Sequence, residues 1–139
     1  MKAAVATVVV GLALVVALLW LLAFPRAPSG YHWPQHTGWG GGPAGLATGV
    51  LVERGGCVYL QSETGEHVGL LVWPMFASLA RNGEEVFVRI DGRDVRMGET
   101  ASFGGGFYEK GDPLPDSMAA ARDVPCDGPY ILVTGLADQ

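Results

Sequence analysis

The chain has 139 residues, 49% of them apolar and 17% charged, with a formal net charge of −5. That length leaves room for one modest domain beside any membrane segment. All fourteen acidic residues and seven of the nine basic ones lie from Glu53 onward, a local balance of −7. Such a region repels phosphate backbones, so nucleic acid is excluded as an expected partner.

The chain opens on an apolar run, Ala3 to Phe24, of 22 residues without a charge. As a helix it would rise about 33 Å, against a hydrocarbon core of ~30 Å. Residues 1–24 therefore read as a signal-anchor transmembrane helix whose partner is the lipid bilayer, through residues 3–24. Trp20 falls at headgroup level near its end. Lys2 precedes the run and Arg26 alone follows it closely, which weakly orients the N-terminus to the cytoplasm and the rest outside a plasma membrane. The alternative is a secreted protein cleaved near Ser29, after Ala27-Pro28. The run exceeds the usual length of a cleaved segment, so a retained anchor is the expectation. The spacing of Ala3, Thr7 and Gly11 could favour helix pairing, but chance in an Ala-rich helix explains it as well.

Residues 25–47 read as a linker, because ten of the 23 are Pro or Gly. Tyr31, Trp33 and Trp39 exceed what a free tether needs, and imply contact with the interface or the domain. His32 and His36 have the spacing of helical metal ligands, but Pro34 breaks the helix that would align them.

From Thr48 the pattern turns to short strands, and 48–139 reads as an extracytoplasmic β domain. Strands are predicted at 48–53, 57–62 and 67–73, separated by Gly55-Gly56 and by the turn 63–66. Met75 to Arg81 suits a short helix ended at Asn82-Gly83. The clearest hairpin joins 85–90 to 93–97 through Asp91-Gly92, where both positions tolerate positive φ. A short strand at 100–103, a helix at 117–122 capped by Asp116, and a final strand at 129–134 complete the domain. The expected fold is mainly β: a small antiparallel barrel or sandwich with one or two short helices. Its element order fits an OB-like barrel.

Cys57 and Cys126 are the two cysteines. An even count in an exported domain points to a structural disulfide between them. The competing reading is a thiol-redox or other enzyme using Cys57 or Cys126, though no C-x-x-C pair is present.

The signals at Gly49–Cys57–Leu60, Val72-Trp73-Pro74, Gly98-Glu99, Gly104-Gly105-Gly106 and Cys126-Asp127-Gly128-Pro129-Tyr130 resemble a small domain of exported or membrane-anchored bacterial proteins. The resemblance covers residues 48–136. It implies an extracytoplasmic module with two cysteines and carries no activity. Many such proteins look like lipoproteins, whereas here no cysteine follows the apolar run.

No catalytic constellation stands out. Ser62 and His67 lack the strand-to-helix elbow of a nucleophile. Glu109, Asp112 and Asp116 match no calcium loop. The Gly104–Gly106 run lacks the Lys of a phosphate loop. The expectation is a membrane-anchored binding or structural module of a bacterial envelope, not an enzyme. No cofactor, metal or catalytic residue is assigned, and an envelope protein is the partner class left open.

Overall fold

The computed structural model describes residues 2–23, 26–38, 45–65 and 68–137, without the side chains of 2–7, 23 and 68. Helix α1 (Lys2–Ala23) is followed by β1 (Gln35–His36), β2 (Gly45–Arg54), β3 (Cys57–Gln61), β4 (Val68–Pro74), β5 (Ser78–Asn82), β6 (Glu85–Ile90), β7 (Arg93–Arg96), β8 (Thr100–Tyr108), a 3-10 helix (Asp116–Arg122) and β9 (Tyr130–Leu136).

Helix α1 is 22 residues long with no acidic residue in its first turn and no basic one in its last. Its side chains from Val8 to Leu22 are all exposed, as suits a helix with no polar face to turn away from a core. Among the described residues no helix is long and apolar enough to cross a membrane. The two observations differ in extent: the helix backbone runs from Lys2, whereas its described side chains begin only at Val8.

Five strands form a closed barrel in the order β4-β3-β2-β8-β9, with β9 returning to β4. The β4–β9 seam is parallel and short, pairing Leu70, Leu71 and Val72 with Tyr130, Ile131 and Leu132; the other four barrel pairings are antiparallel. Closure leaves inward positions alternating with outward ones along each strand. Leu51, Val58, Leu60, Leu71, Trp73, Phe103, Ile131 and Val133 share one core cluster. Trp73 meets Phe103 edge-on, with ring centroids 5.5 Å apart.

Closure also requires a strand to bend tightly, and β8 does so at a register shift between Gly104 and Gly105. A Cβ on Gly105 would sit inside the contact radius of the Leu132 carbonyl oxygen of β9. Only glycine fits there, which accounts for the middle residue of the triple-glycine run. Gly105→Ala is expected to cost about 1–3 kcal/mol, read as a lower urea midpoint.

One barrel end is plugged. β2, β4 and β9 finish there, and β3 and β8 begin there. Between β4 and β8 the chain makes a separate antiparallel meander, β5-β6-β7. Its apolar face (Leu79, Val86, Val88, Ile90 and Val95) joins the barrel's core cluster. Backbone bonds link Leu51 to Gly98 and Glu99, and the Asp91 carboxylate accepts the Leu136 N–H at 2.7 Å. The Asp91-Gly92 turn forms as expected, with both residues at positive φ. The helix expected at 75–81 does not form. Ser78–Asn82 is instead a strand paired with β6, because Leu79 satisfies the inward position opposite Val88 and pairing overrides the helical preference of Ala and Leu.

The supposed linker is also partly domain. Residues 31–36 enter a gap at the plugged end, where β3 and β4 have parted. His32 bridges β3 at Cys57, and Gln35 and His36 pair in parallel with Trp73 and Pro74 of β4. Trp33 stacks on Trp73 at 4.6 Å, and Ala27, Tyr31 and Trp33 pack on the core. The aromatic payload of this strap explains why its Pro and Gly content does not leave it free. β2 begins at Gly45, three residues before the expected boundary. Trp39 and residues 40–44 lie outside the described residues.

The long connection between β8 and β9 wraps the barrel's outer face. Leu114, Met118 and Ala121 cover Val72 and Leu132. The expected helix at 117–122 appears as the 3-10 segment, with Met118 off helical geometry. Farther on, Cys126 bonds to Cys57, with Cα atoms 5.9 Å apart. The pair and Leu70 form a small cluster joined by Tyr59, Val124 and Tyr130. Burial there pushes the Tyr59 phenol above its ordinary pKa. Covering both faces of β4 explains its unbroken apolar sequence, Leu70 to Trp73.

Candidate functional site: the open barrel mouth

The end opposite the meander is open. β2, β4 and β9 begin there, and β3 and β8 finish there. A cavity of about 560 Å³ enters the barrel, with Ala47, Leu60, Gly69 and Ile131 among its walls and Phe107 across its entrance. The opening follows from side-chain size. From the plugged end toward the mouth the inward positions fall from Leu51 to Ala47 along β2 and from Trp73 to Gly69 along β4. A Cβ on Gly69 would lie 2.6 Å from the Ile131 Cδ1 atom, so that glycine leaves the room Ile131 occupies.

The rim is amphipathic. Leu46 and Phe107 are 63% and 52% exposed, large values for apolar side chains at the end of a sheet. Tyr108 and Tyr130 are half-buried beside them, and Thr48 adds a hydroxyl bonded to the Ser102 hydroxyl at 2.7 Å. Glu109 is the one acidic lining residue. Its N–H donates to the Asp112 carboxylate at 3.0 Å, and the Asp112 N–H donates back to the Glu109 carbonyl. This reciprocal pair closes a turn that holds the loop beside the mouth. Such a site suits an apolar group entering the barrel, with aromatic edges around it.

The residues weighed from sequence fall elsewhere or serve structure. The Ser62 hydroxyl lies at the rim, 3.0 Å from the Thr64 hydroxyl, and His67 lies outside the described residues. Asp116 starts the 3-10 helix, away from the Glu109–Asp112 turn. Lys110 approaches Asp127 at 3.8 Å, an exposed pair of little energetic weight. Gly104 to Gly106 lie within β8, as part of the barrel wall. His32 is bridged to β3 whereas His36 pairs with β4, and no group of metal-ligating side chains occurs among the described residues. His36 is buried, and its Nε2–H donates to the Val133 carbonyl at 2.6 Å. Its Nδ1 has no hydrogen-bond partner among the described residues.

Cys57 and Cys126 are 3% and 5% exposed, which keeps both sulfurs from an attacking thiolate. Sequence reasoning missed the mouth itself. The available signal was the run of small residues at alternate positions, Gly45, Ala47 and Gly49, at the start of a strand that later carries Leu51.

The chain matches no protein-family model, and no curated protein or solved structure is similar to it.

Proposed function

We propose that the protein is a membrane-anchored binding module of a bacterial cell envelope. In this reading α1 holds it to the bilayer, its β domain lies outside, and the barrel mouth takes an apolar group of an envelope partner. The observation that carries it is the asymmetry of the barrel: one end is filled by the meander, and the other is left open behind an aromatic rim. A purely structural barrel gains from filling both ends, since unfilled apolar space forfeits packing energy.

The anchor is supported by 22 helical residues of nearly unbroken apolar character and by a disulfide that suits an oxidising compartment. The pairing order supports an OB-like assignment: in chain order the barrel strands neighbour one another as first, second, third, fifth and fourth. OB barrels serve many ligands, so this supports binding only by analogy. The acidic balance disfavours nucleic acid. The likeness to exported bacterial domains in the motifs around Cys57 and Cys126 agrees with the same placement.

The test uses the full chain in lipid nanodiscs with N-acetyl-leucinamide, which presents one apolar side chain. The Ile131 Cδ1 methyl resonance is expected to shift saturably, and the Leu46→Ala/Phe107→Ala double variant should weaken that response at least tenfold while staying folded. An unmoved Ile131 methyl in the folded protein would overturn the mouth as the binding site. Placement is checked separately: a reporter active only after export, fused at the C-terminus, should be active, and intact-mass analysis should find the N-terminal segment retained. A mature protein beginning at Gly30 would replace the anchor with secretion.

A further inference from the structure

We infer that the plugged end of the barrel rests on the bilayer surface, with the Met75–Phe76 turn set in the lipid interface and the mouth facing away. The inference rests on the anchor reading above and adds to it which surface of the domain meets lipid.

Tether length comes first. Helix α1 ends at Ala23, and Ala27 already packs on the barrel core. Three residues lie between them, and fully extended they allow a separation of about 14 Å. That is less than half the length of the longest barrel strand, at ten residues and ~3.3 Å each. A spanning α1 therefore cannot release the domain from the membrane; it can only decide which side faces it.

The strap decides. It meets the barrel at the plugged end throughout. The His32 N–H donates to the Gly56 carbonyl, in the turn joining β2 to β3. The Arg81 guanidinium lies 6.0 Å over the Tyr31 ring, tying the strap to β5. Gln35 and His36 then pair with the last two residues of β4. These contacts, from His32 to His36, lie at the end where β2 and β4 finish. Only beyond His36 does the chain turn to the outer face, where the Thr37 N–H donates to the Ser117 carbonyl. The plugged end is therefore the one the chain meets first after the helix.

The same end carries an otherwise unexplained feature. Met75 and Phe76 follow β4 directly and are 64% and 61% exposed. They are adjacent in a tight turn, with the Ala77 N–H bonded to the Pro74 carbonyl. Turn tips in water usually carry Gly, Asn, Asp or Ser. Two large apolar side chains there gain by leaving water, each worth roughly 1.5–3 kcal/mol on full burial. The bilayer interface at the end of α1 is the apolar phase in reach, and Tyr31 and Arg81 beside the strap suit its headgroup layer.

The test places a nitroxide spin label at Met75→Cys, Phe76→Cys or Glu109→Cys, in the full chain with its disulfide intact, reconstituted in phosphatidylcholine vesicles. Flotation comes first and should find the protein with the vesicles. Labels at 75 and 76 should then be relaxed more by oxygen than by a water-soluble nickel chelate, and the label at 109 the reverse. Co-floating protein whose labels at 75 and 76 are as nickel-accessible as that at 109 would overturn the apposition while leaving the anchor intact. Dipolar broadening between labels at 76 would show a second copy covering the turn, and would also overturn it. Protein that fails to float would remove the anchor reading and this inference together.

Discussion

Trp73→Ala should be the most damaging single substitution in the β domain, lowering its stability by about 3–5 kcal/mol. The indole is fully buried at the end of β4. One face stacks on Trp33 of the strap, and its ring meets Phe103 of β8 edge-on. Removing it opens a cavity between the barrel and the segment that closes its split end. The loss should therefore appear twice, once in the denaturation midpoint and once as faster proteolysis between residues 27 and 36. Trp73→Phe keeps an aromatic partner for both neighbours and removes an indole N–H that has no acceptor among the described residues, so it should cost clearly less. Trp33→Ala should accelerate proteolysis of the strap while reducing stability by a smaller amount, since Trp33 is only partly buried. A Trp73→Ala protein with unchanged midpoint would mean that the strap carries no part of the core.

Breaking the Cys57–Cys126 bond is the second large effect. The bond closes a loop across a sequence separation of 69, and constraining so long a loop in the unfolded chain is worth about 4 kcal/mol in the chain-entropy model. Cys57→Ser and Cys126→Ser are each expected to cost about 2–5 kcal/mol, and the double variant little more than either. Residues 123–129 should be the first to gain hydrogen exchange. They carry little apolar weight of their own, and their hold on β3 depends on the small cluster of the two cysteines with Leu70, Tyr59, Val124 and Tyr130. Both measurements belong on the folded, full-length chain. Single variants that keep the native midpoint would return the two cysteines to a redox reading.

The sequence made the local β content plain wherever alternation met a turn with a stated chemistry. Glu85 to Arg96 is the clearest case, since Asp91-Gly92 fixes both the turn and the register. β4 was legible as a strand over 67–73, and the disulfide from the even count of cysteines. What failed was long-range. Met75 to Arg81 has good helix formers, and only the presence of Val88 across from Leu79 makes a strand of its second half. Residues 31–36 looked like tether because Pro34 and the neighbouring glycines set their composition. Their binding partners, Cys57, Trp73 and Pro74, lie far along the chain. The mouth was invisible for a similar reason. A small residue at one inward position means little until closure of the β4–β9 seam shows which small residues face one another.

The placement of the strap has a mechanical consequence. Any tension between α1 and the domain enters at Ala27 and reaches the barrel at His32, whose backbone bonds to Gly56 and bridges Cys57. Cys57 is also the attachment point of the disulfide. Load arriving there divides between the hydrogen bonds of β3 and a covalent link to the crossing connection that leads into β9. Farther along, the parallel pairing of Gln35 and His36 with β4 meets the same pull largely along the strand, so its bonds are sheared together and not opened one by one. A partner drawn away from the mouth would therefore strain a cross-linked barrel whose point of suspension is stapled, and the strap should fail before the barrel does.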